Sequence, residues 1–153
     1  MIFIDSSVLH NALVVTELTG YAAQAFKLEE PRITSETVID EVWFALLKRD
    51  SGSPWKIRKE LKNSSEFRKM AVKYLSGILG FLSAQNVIIV PDSSNWTKVA
   101  YYVKEFGLMP HDARILATAL EHGCDKLVTL DKDFGPVRGV IKLVPEEFWQ
   151  ENR

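Results

Sequence analysis

Short, mainly apolar runs recur along this chain, most of them followed by a helix-length stretch, and that alternation restricts the possible folds severely. Ile2-Phe3-Ile4, Val87-Ile88-Ile89-Val90, Lys126-Leu127-Val128-Thr129 and Val140-Ile141-Lys142-Leu143-Val144 read as strands, with Pro31-Arg32-Ile33-Thr34 as a weaker fifth. Strands without apolar–polar alternation are buried on both faces, and the segments between them supply the cover. The prediction is an α/β chain with a parallel sheet of about five strands between helical layers. Val87–Val90 is the clearest strand, because all of its residues are apolar and β-branched.

Local signals place the helices. Residues 6–30 read as helical with a break near Thr16–Gly20, and Ser35 or Thr37 caps a helix running to about Arg49. Ser51-Gly52-Ser53-Pro54 is a turn, and the stretch from Trp55 to Ala84 is mostly helical with a break and new cap at Asn63-Ser64-Ser65. Pro91-Asp92-Ser93 ends the Val87–Val90 strand and caps a helix from about Asn95 to Phe106, which Gly107 closes. Pro110 opens a helix ending at Gly123, and Pro145 opens a terminal one. No repeat, low-complexity tract or long linker divides the sequence, so residues 1–153 read as one domain.

Composition narrows the class. With 46% hydrophobic and 25% charged residues the chain is expected to fold rather than stay disordered. A lone cysteine, Cys124, builds neither a disulfide framework nor a cysteine-rich zinc site, and it reads as a small buried hydrophobe. The start Met1–Asp5 has no basic leader, and no apolar run approaches a membrane span, so a soluble, cytoplasmic protein with no membrane partner is expected.

The net charge of −1 names no partner, but its distribution is uneven. Between Lys48 and Lys73 nine Lys or Arg face three acids, giving +6 there and −7 elsewhere. This basic helical arm, within residues 48–85, would suit a polyanion, and Lys48, Arg49, Lys56 and Arg58 are candidate RNA contacts. A solvated helix pair explains the same charges equally well. Trp55, Phe67 and Tyr74 in the same stretch are stacking platforms or, more commonly, packing residues.

Five carboxylates fall where the strands and helices meet: Asp5, Glu41, Asp112, Asp131 and Asp133. Parallel sheets place their chemistry beyond the carboxyl ends of the strands. Acids gathered there repel one another unless a cation lies between them, and a divalent metal is the simplest one. Mg²⁺ or Mn²⁺ needs oxygen ligands and no histidine, and either ion supplies what phosphodiester hydrolysis demands. Each acid also has a structural role open to it. Asp5 and Asp112 stand where helix caps or first-turn acids stand, Asp40 competes with Glu41, and Asp133 could cap a turn before Gly135-Pro136. Thr129 either completes its strand or bonds a ligand carboxylate or water.

Ile4-Asp5-Ser6-Ser7-Val8-Leu9, Asp112-Ala113-Arg114-Ile115-Leu116-Ala117-Thr118-Ala119 and Leu127-Val128-Thr129-Leu130-Asp131-Lys132-Asp133-Phe134 together resemble the PIN-domain ribonucleases, over essentially the whole chain. The resemblance implies a three-layer, Rossmann-like α/β/α domain and a Mg²⁺- or Mn²⁺-dependent endoribonuclease. It assigns Asp5, Glu41, Asp112 and Asp131 to the acidic quartet, Asp133 to a frequent fifth acid, and Ser7 and Thr129 to neighbouring hydroxyl positions. In metal terms it implies Asp5, Asp112, Asp131 and Asp133 as ligands. His111 lies outside the transferable pattern. The size resembles VapC-type toxins of toxin–antitoxin pairs, which implies a homodimer, a small antitoxin partner and an RNA substrate. The rival expectations are a metal-dependent phosphatase or DNA nuclease using the same acids, and a non-catalytic RNA-binding or dimerisation module.

Overall fold

The computed structural model describes residues 1–152, so Arg153, the last residue of the predicted 1–153 domain, lies outside the described residues. The strands are β1 (Ile2–Ile4), β2 (Arg32–Ser35), β3 (Val87–Val90), β4 (Lys126–Val128) and β5 (Lys142–Val144). They form one all-parallel sheet in the order β3-β2-β1-β4-β5. β1 lies at its centre, with Ile2 opposite both Arg32 and Lys126, and Ile2, Phe3 and Ile4 are fully buried. The helices are α1 (Ser6–Leu13), α2 (Thr19–Ala25), α3 (Glu36–Ser51), α4 (Pro54–Asn63), α5 (Ser65–Ala84), α6 (Trp96–Phe106), α7 (Pro110–Glu121) and α8 (Glu146–Glu151). They flank the sheet, giving the expected three-layer α/β/α architecture. Among the described residues no helix is long and apolar enough to cross a membrane.

The chain steps outward from β1 to β2 to β3, then crosses back to place β4 on the other side of β1. Strand order therefore reverses at the carboxyl ends of β1 and β4, where open α/β sheets open a crevice.

The predicted punctuation marks are largely in place. Gly107 ends α6 in the left-handed conformation that glycine adopts without steric cost. Ser64 caps α5 by accepting from the Phe67 N–H, and Ser53 caps α4 by accepting from Lys56. Two caps differ from expectation. Ser35 holds the N-cap position of α3 but makes no capping bond; Asp92, from the loop after β3, accepts from the Thr37 N–H instead. Asn95, rather than Asp92 or Ser93, then caps α6.

The clearest strand of the sequence is not an interior one. β3 forms the edge of the sheet, with Ile88 64% and Ile89 39% exposed. An apolar run reports strand propensity, and the crossover connections decide whether the strand ends at the centre or the edge.

The basic arm is more than a solvated helix pair. Leu47, Ile57, Phe67 and Ala71 form a second small core beneath α4 and α5, joined by Trp43, Leu61, Met70 and Tyr74. Each fully buried Leu, Ile or Phe there contributes about 1.5–3 kcal/mol. Phe67 is thus a packing residue and Tyr74 bonds Asp50, whereas Trp55 is exposed beneath the Lys59 ammonium. Cys124 is buried as expected, and burial pushes its thiol up to about 11.

Candidate active site

Local chain geometry brings the acids to one edge of the sheet. Asp5 directly follows β1, and its own N–H continues the sheet by donating to the Val128 carbonyl of β4. Asp131 lies three residues past β4, at the N-cap of a 3₁₀ turn spanning Lys132–Val137. Asp112 lies in the first turn of α7, and Glu41 lies on α3, the helix that follows β2.

Asp112, Asp131 and Asp133 each offer a carboxylate oxygen, and these oxygens lie within 4.8 Å of one another. Asp5, expected as a further ligand, lies outside that set but near enough for its charge to act on Asp112. It occupies the N-cap position of α1 but makes no side-chain capping bond. Its Oδ2 instead accepts from Thr129 Oγ1 at 2.7 Å and from Ser7 Oγ at 2.8 Å. Those hydroxyls are themselves anchored: Ser7 Oγ accepts from the Leu130 N–H and Thr129 Oγ1 from the Asp131 N–H. One hydroxyl pair therefore ties the β1 end to the β4 end and fixes both acids that follow them.

Glu41 joins the cluster through Ser6, whose hydroxyl lies 3.3 Å from Glu41 Oε2 and 3.5 Å from Asp5 Oδ1. The other oxygen, Glu41 Oε1, is buried and has no hydrogen-bond partner. Its neighbour Asp40 is exposed and lines a separate groove with Trp43 and Phe44. The turn-capping role proposed for Asp133 belongs to Asp131, whose Oδ1 accepts from the Asp133 N–H at 2.9 Å.

The electrostatics show a site short of positive charge. Burial raises the Asp5 carboxyl above its usual range despite the Thr129 and Ser7 hydrogen bonds. Burial, then the nearby Asp5 charge, raises Glu41 to about 7. Burial, and beyond it the repulsion of Asp5, Asp131 and Asp133, raises Asp112 to about 6. Among the described residues no Lys or Arg forms an ion pair with these five acids; His111 Nε2, 3.5 Å from Asp112 Oδ1, is their one basic neighbour. Clustered carboxylates, an orphaned buried oxygen and an all-oxygen donor set fit a hard divalent cation.

Lys48, Arg49, Lys56 and Arg58 are all exposed on α3 and α4, and none forms an ion pair with the acids among the described residues. Sequence reasoning missed two supporting contacts. Ser6 entered only as part of the opening motif, although its place beside Asp5 is a usable signal. Trp149 donates its indole N–H to the Thr129 carbonyl at 3.0 Å, from a helix distant in sequence. Nothing in the sequence near Trp149 points to that contact.

Comparison with known proteins places these observations among relatives. The family model described as the PIN domain matches residues 2–140. No curated protein sequence matches the chain. Among solved structures, the Mycobacterium tuberculosis toxin VapC20, described as cleaving the sarcin–ricin loop, superposes with a TM-score of 0.62 at 18% identity, covering 88% of this chain and 93% of that one. A toxin–antitoxin complex from Klebsiella pneumoniae gives 0.60 at 20% identity, covering 94% and 96%. FitAcB from Neisseria gonorrhoeae gives 0.59 at 19% identity, covering 97% and 99%. At these identities the likeness speaks for the fold.

Proposed function

This chain belongs to the PIN domain family, and from that membership we propose that it is a Mg²⁺- or Mn²⁺-dependent endoribonuclease. The observation that carries the reading is Glu41 Oε1, buried without a partner inside a group of acids that no Lys or Arg neutralises among the described residues. Asp112, Asp131 and Asp133 would hold the ion, with Asp5 as a fourth carboxylate acting on them through its charge or a bound water. When bound, such an ion neutralises the phosphoryl oxygens and lowers the pKa of water.

The chain's own residues do the rest. Thr129 and Ser7 hold Asp5 Oδ2, leaving its other oxygen turned toward Ser6. Ser6 holds Glu41 Oε2 beside the acidic cluster, where the Glu41 carboxylate would orient the attacking water and take its proton. The exposed cations of the arm, Lys48, Arg49, Lys56 and Arg58, attract the RNA backbone.

The reading extends to the toxin of a toxin–antitoxin pair, acting in the cytoplasm as one domain and as a homodimer. The Klebsiella pneumoniae neighbour is itself a toxin–antitoxin complex. An apolar groove of about 420 Å³, lined by Trp43, Phe44, Leu47, Ile57, Leu61 and Val72, offers a small antitoxin a surface to bury.

The decisive experiment assays RNA, DNA and a small phosphomonoester side by side with Mn²⁺, for the wild type and Asp5→Asn. RNA cleavage that needs Mn²⁺ and disappears in folded Asp5→Asn, together with its Mn²⁺ binding, is the expected result. Cleavage of DNA or the monoester alone favours the rival hydrolases. RNA binding that ignores chelator and leads to no cleavage favours a binding module. A short adjacent reading frame whose product binds this protein and suppresses cleavage is the expected mark of the toxin role.

A further inference from the structure

At the Glu41 end the acids adjoin a cleft of about 310 Å³ between α1 and α3, lined by Ser6, Ser7, His10, Asn11, Glu41 and Ala45 among others. Its walls are helical rows. Ser6 and His10 stand one turn apart on α1, and Glu41, Ala45 and Arg49 form a single row along α3. From Glu41 to Arg49 this row rises about 12 Å. It starts at a carboxylate of the acidic cluster and ends at an exposed guanidinium. Midway, Ala45 contributes only a methyl group, so the cleft stays open where a longer side chain would fill it.

The opposite wall offers a flat ring. His10 is half-buried, and its imidazole has no hydrogen-bond partner among the described residues. Burial, and after it the nearby Arg49 charge, holds the ring below the usual histidine range, so it is neutral near pH 7. Asn11 offers no comparable free group. Its amide donates to the Ser7 carbonyl and accepts from the Thr16 hydroxyl, both at 2.6 Å, and so stiffens the wall.

We propose that this cleft seats the nucleotide next to the scissile phosphate of single-stranded RNA, with the base between His10 and Ala45 and the following phosphate at Arg49. The proposal rests on the endoribonuclease reading. Unstacked bases are taken up on imidazole and guanidinium planes and hydrogen-bonded along their edges, which a paired base does not permit. The cavity lies at the small end of ligand pockets, which run to about 300–1,000 Å³, and so suits one nucleotide rather than a duplex. Charge follows the same line, since a cation is needed at the far end, where the next phosphate falls, and not beside the metal-binding acids.

Two measurements test it. In the first, the wild type is titrated with each of the four ribonucleoside 5′-monophosphates in Mg²⁺, and the His10 imidazole and Ala45 methyl NMR signals are followed. Saturable shifts at both are expected in the wild type, with the His10 shift abolished in Ala45→Leu. In the second, His10→Ala and Arg49→Ala cleave a random-sequence RNA with Mn²⁺. Their loss should fall on KM, by about tenfold, with a weakened base preference beside the cut. No shift with any nucleotide overturns the seat, as does an unchanged KM and base profile in both variants, and either leaves the nuclease reading standing. Saturable shifts in a wild type that cuts no RNA uphold the nucleotide seat and overturn the nuclease reading.

Discussion

The Thr129 hydroxyl donates to the Asp5 carboxylate at 2.7 Å, joining the residues that immediately follow β4 and β1. The two strands are paired along their length, so this bond continues their register into the site. Thr129→Val keeps the shape and removes the hydroxyl. The buried Asp5 then loses a donor and the Asp131 N–H loses its acceptor. A loss of about 1–3 kcal/mol in urea unfolding is expected, with weaker Mn²⁺ binding in the folded variant. Unchanged stability and Mn²⁺ affinity would show the bond to be incidental.

Glu41 links stability to pH. Its folded pKa is raised to about 7 from an ordinary 4.5, so the metal-free folded chain holds a proton there that the unfolded chain has released. This contribution is complete below the unfolded value and is lost as pH rises through about 7. His10, lowered by burial, acts in the opposite sense in part of the same window, so the contrast with Glu41→Gln isolates the carboxyl. Without metal, Glu41→Gln should gain in melting temperature over wild type as pH rises from about 5 to about 8. Saturating Mn²⁺ should reverse the order at the upper pH. A metal-free difference independent of pH contradicts the raised carboxyl.

Asp131 combines two tasks that substitutions can separate. Its Oδ1 caps the 3₁₀ turn by accepting from the Asp133 N–H, and another of its roles is to carry charge beside Asp112 and Asp133. Asp131→Asn retains an acceptor and should unfold close to wild type while losing Mn²⁺ binding. Asp131→Ala should lose both, with a further cost of about 1 kcal/mol for the missing cap. Equal stability of the two variants in urea is the outcome that counts against a capping role.

Asp92 connects the helices that carry Glu41 and Asp112. It accepts from the Thr37 N–H at the start of α3, and Arg114 of α7 lies 3.7 Å from its other oxygen. Asp92→Ala should cost about 1 kcal/mol and speed hydrogen exchange at the first amides of α3. Protection at Thr37 equal to wild type would place the cap elsewhere.

Much of this arrangement is readable before folding. The apolar runs mark β1, β3, β4 and β5 by strand propensity, β2 shows only weakly, and Ser53, Ser64 and Gly107 mark helix ends by their own chemistry. The acids at strand ends are legible because parallel sheets place their chemistry there. What escapes is whatever depends on distant partners. β3 reads like a central strand because its composition says nothing about its neighbours. Asp92 caps a helix that precedes it by more than fifty positions, a bond that local spacing cannot announce. Asp40 and Glu41 look alike in sequence, and only the packing of α3 on α1 turns one toward solvent and the other toward Ser6.

The central position of β1 has a consequence for how the protein comes off the ribosome. Asp5 and Glu41 are made early, but β1 gains its second neighbour only with β4, and Asp131 comes later still. A nascent chain shorter than 131 residues therefore carries an incomplete set of acids. The acidic cluster is closed only once β4 has paired with β1 and brought Asp131 and Asp133 beside Asp112, so the site and the centre of the sheet are completed together.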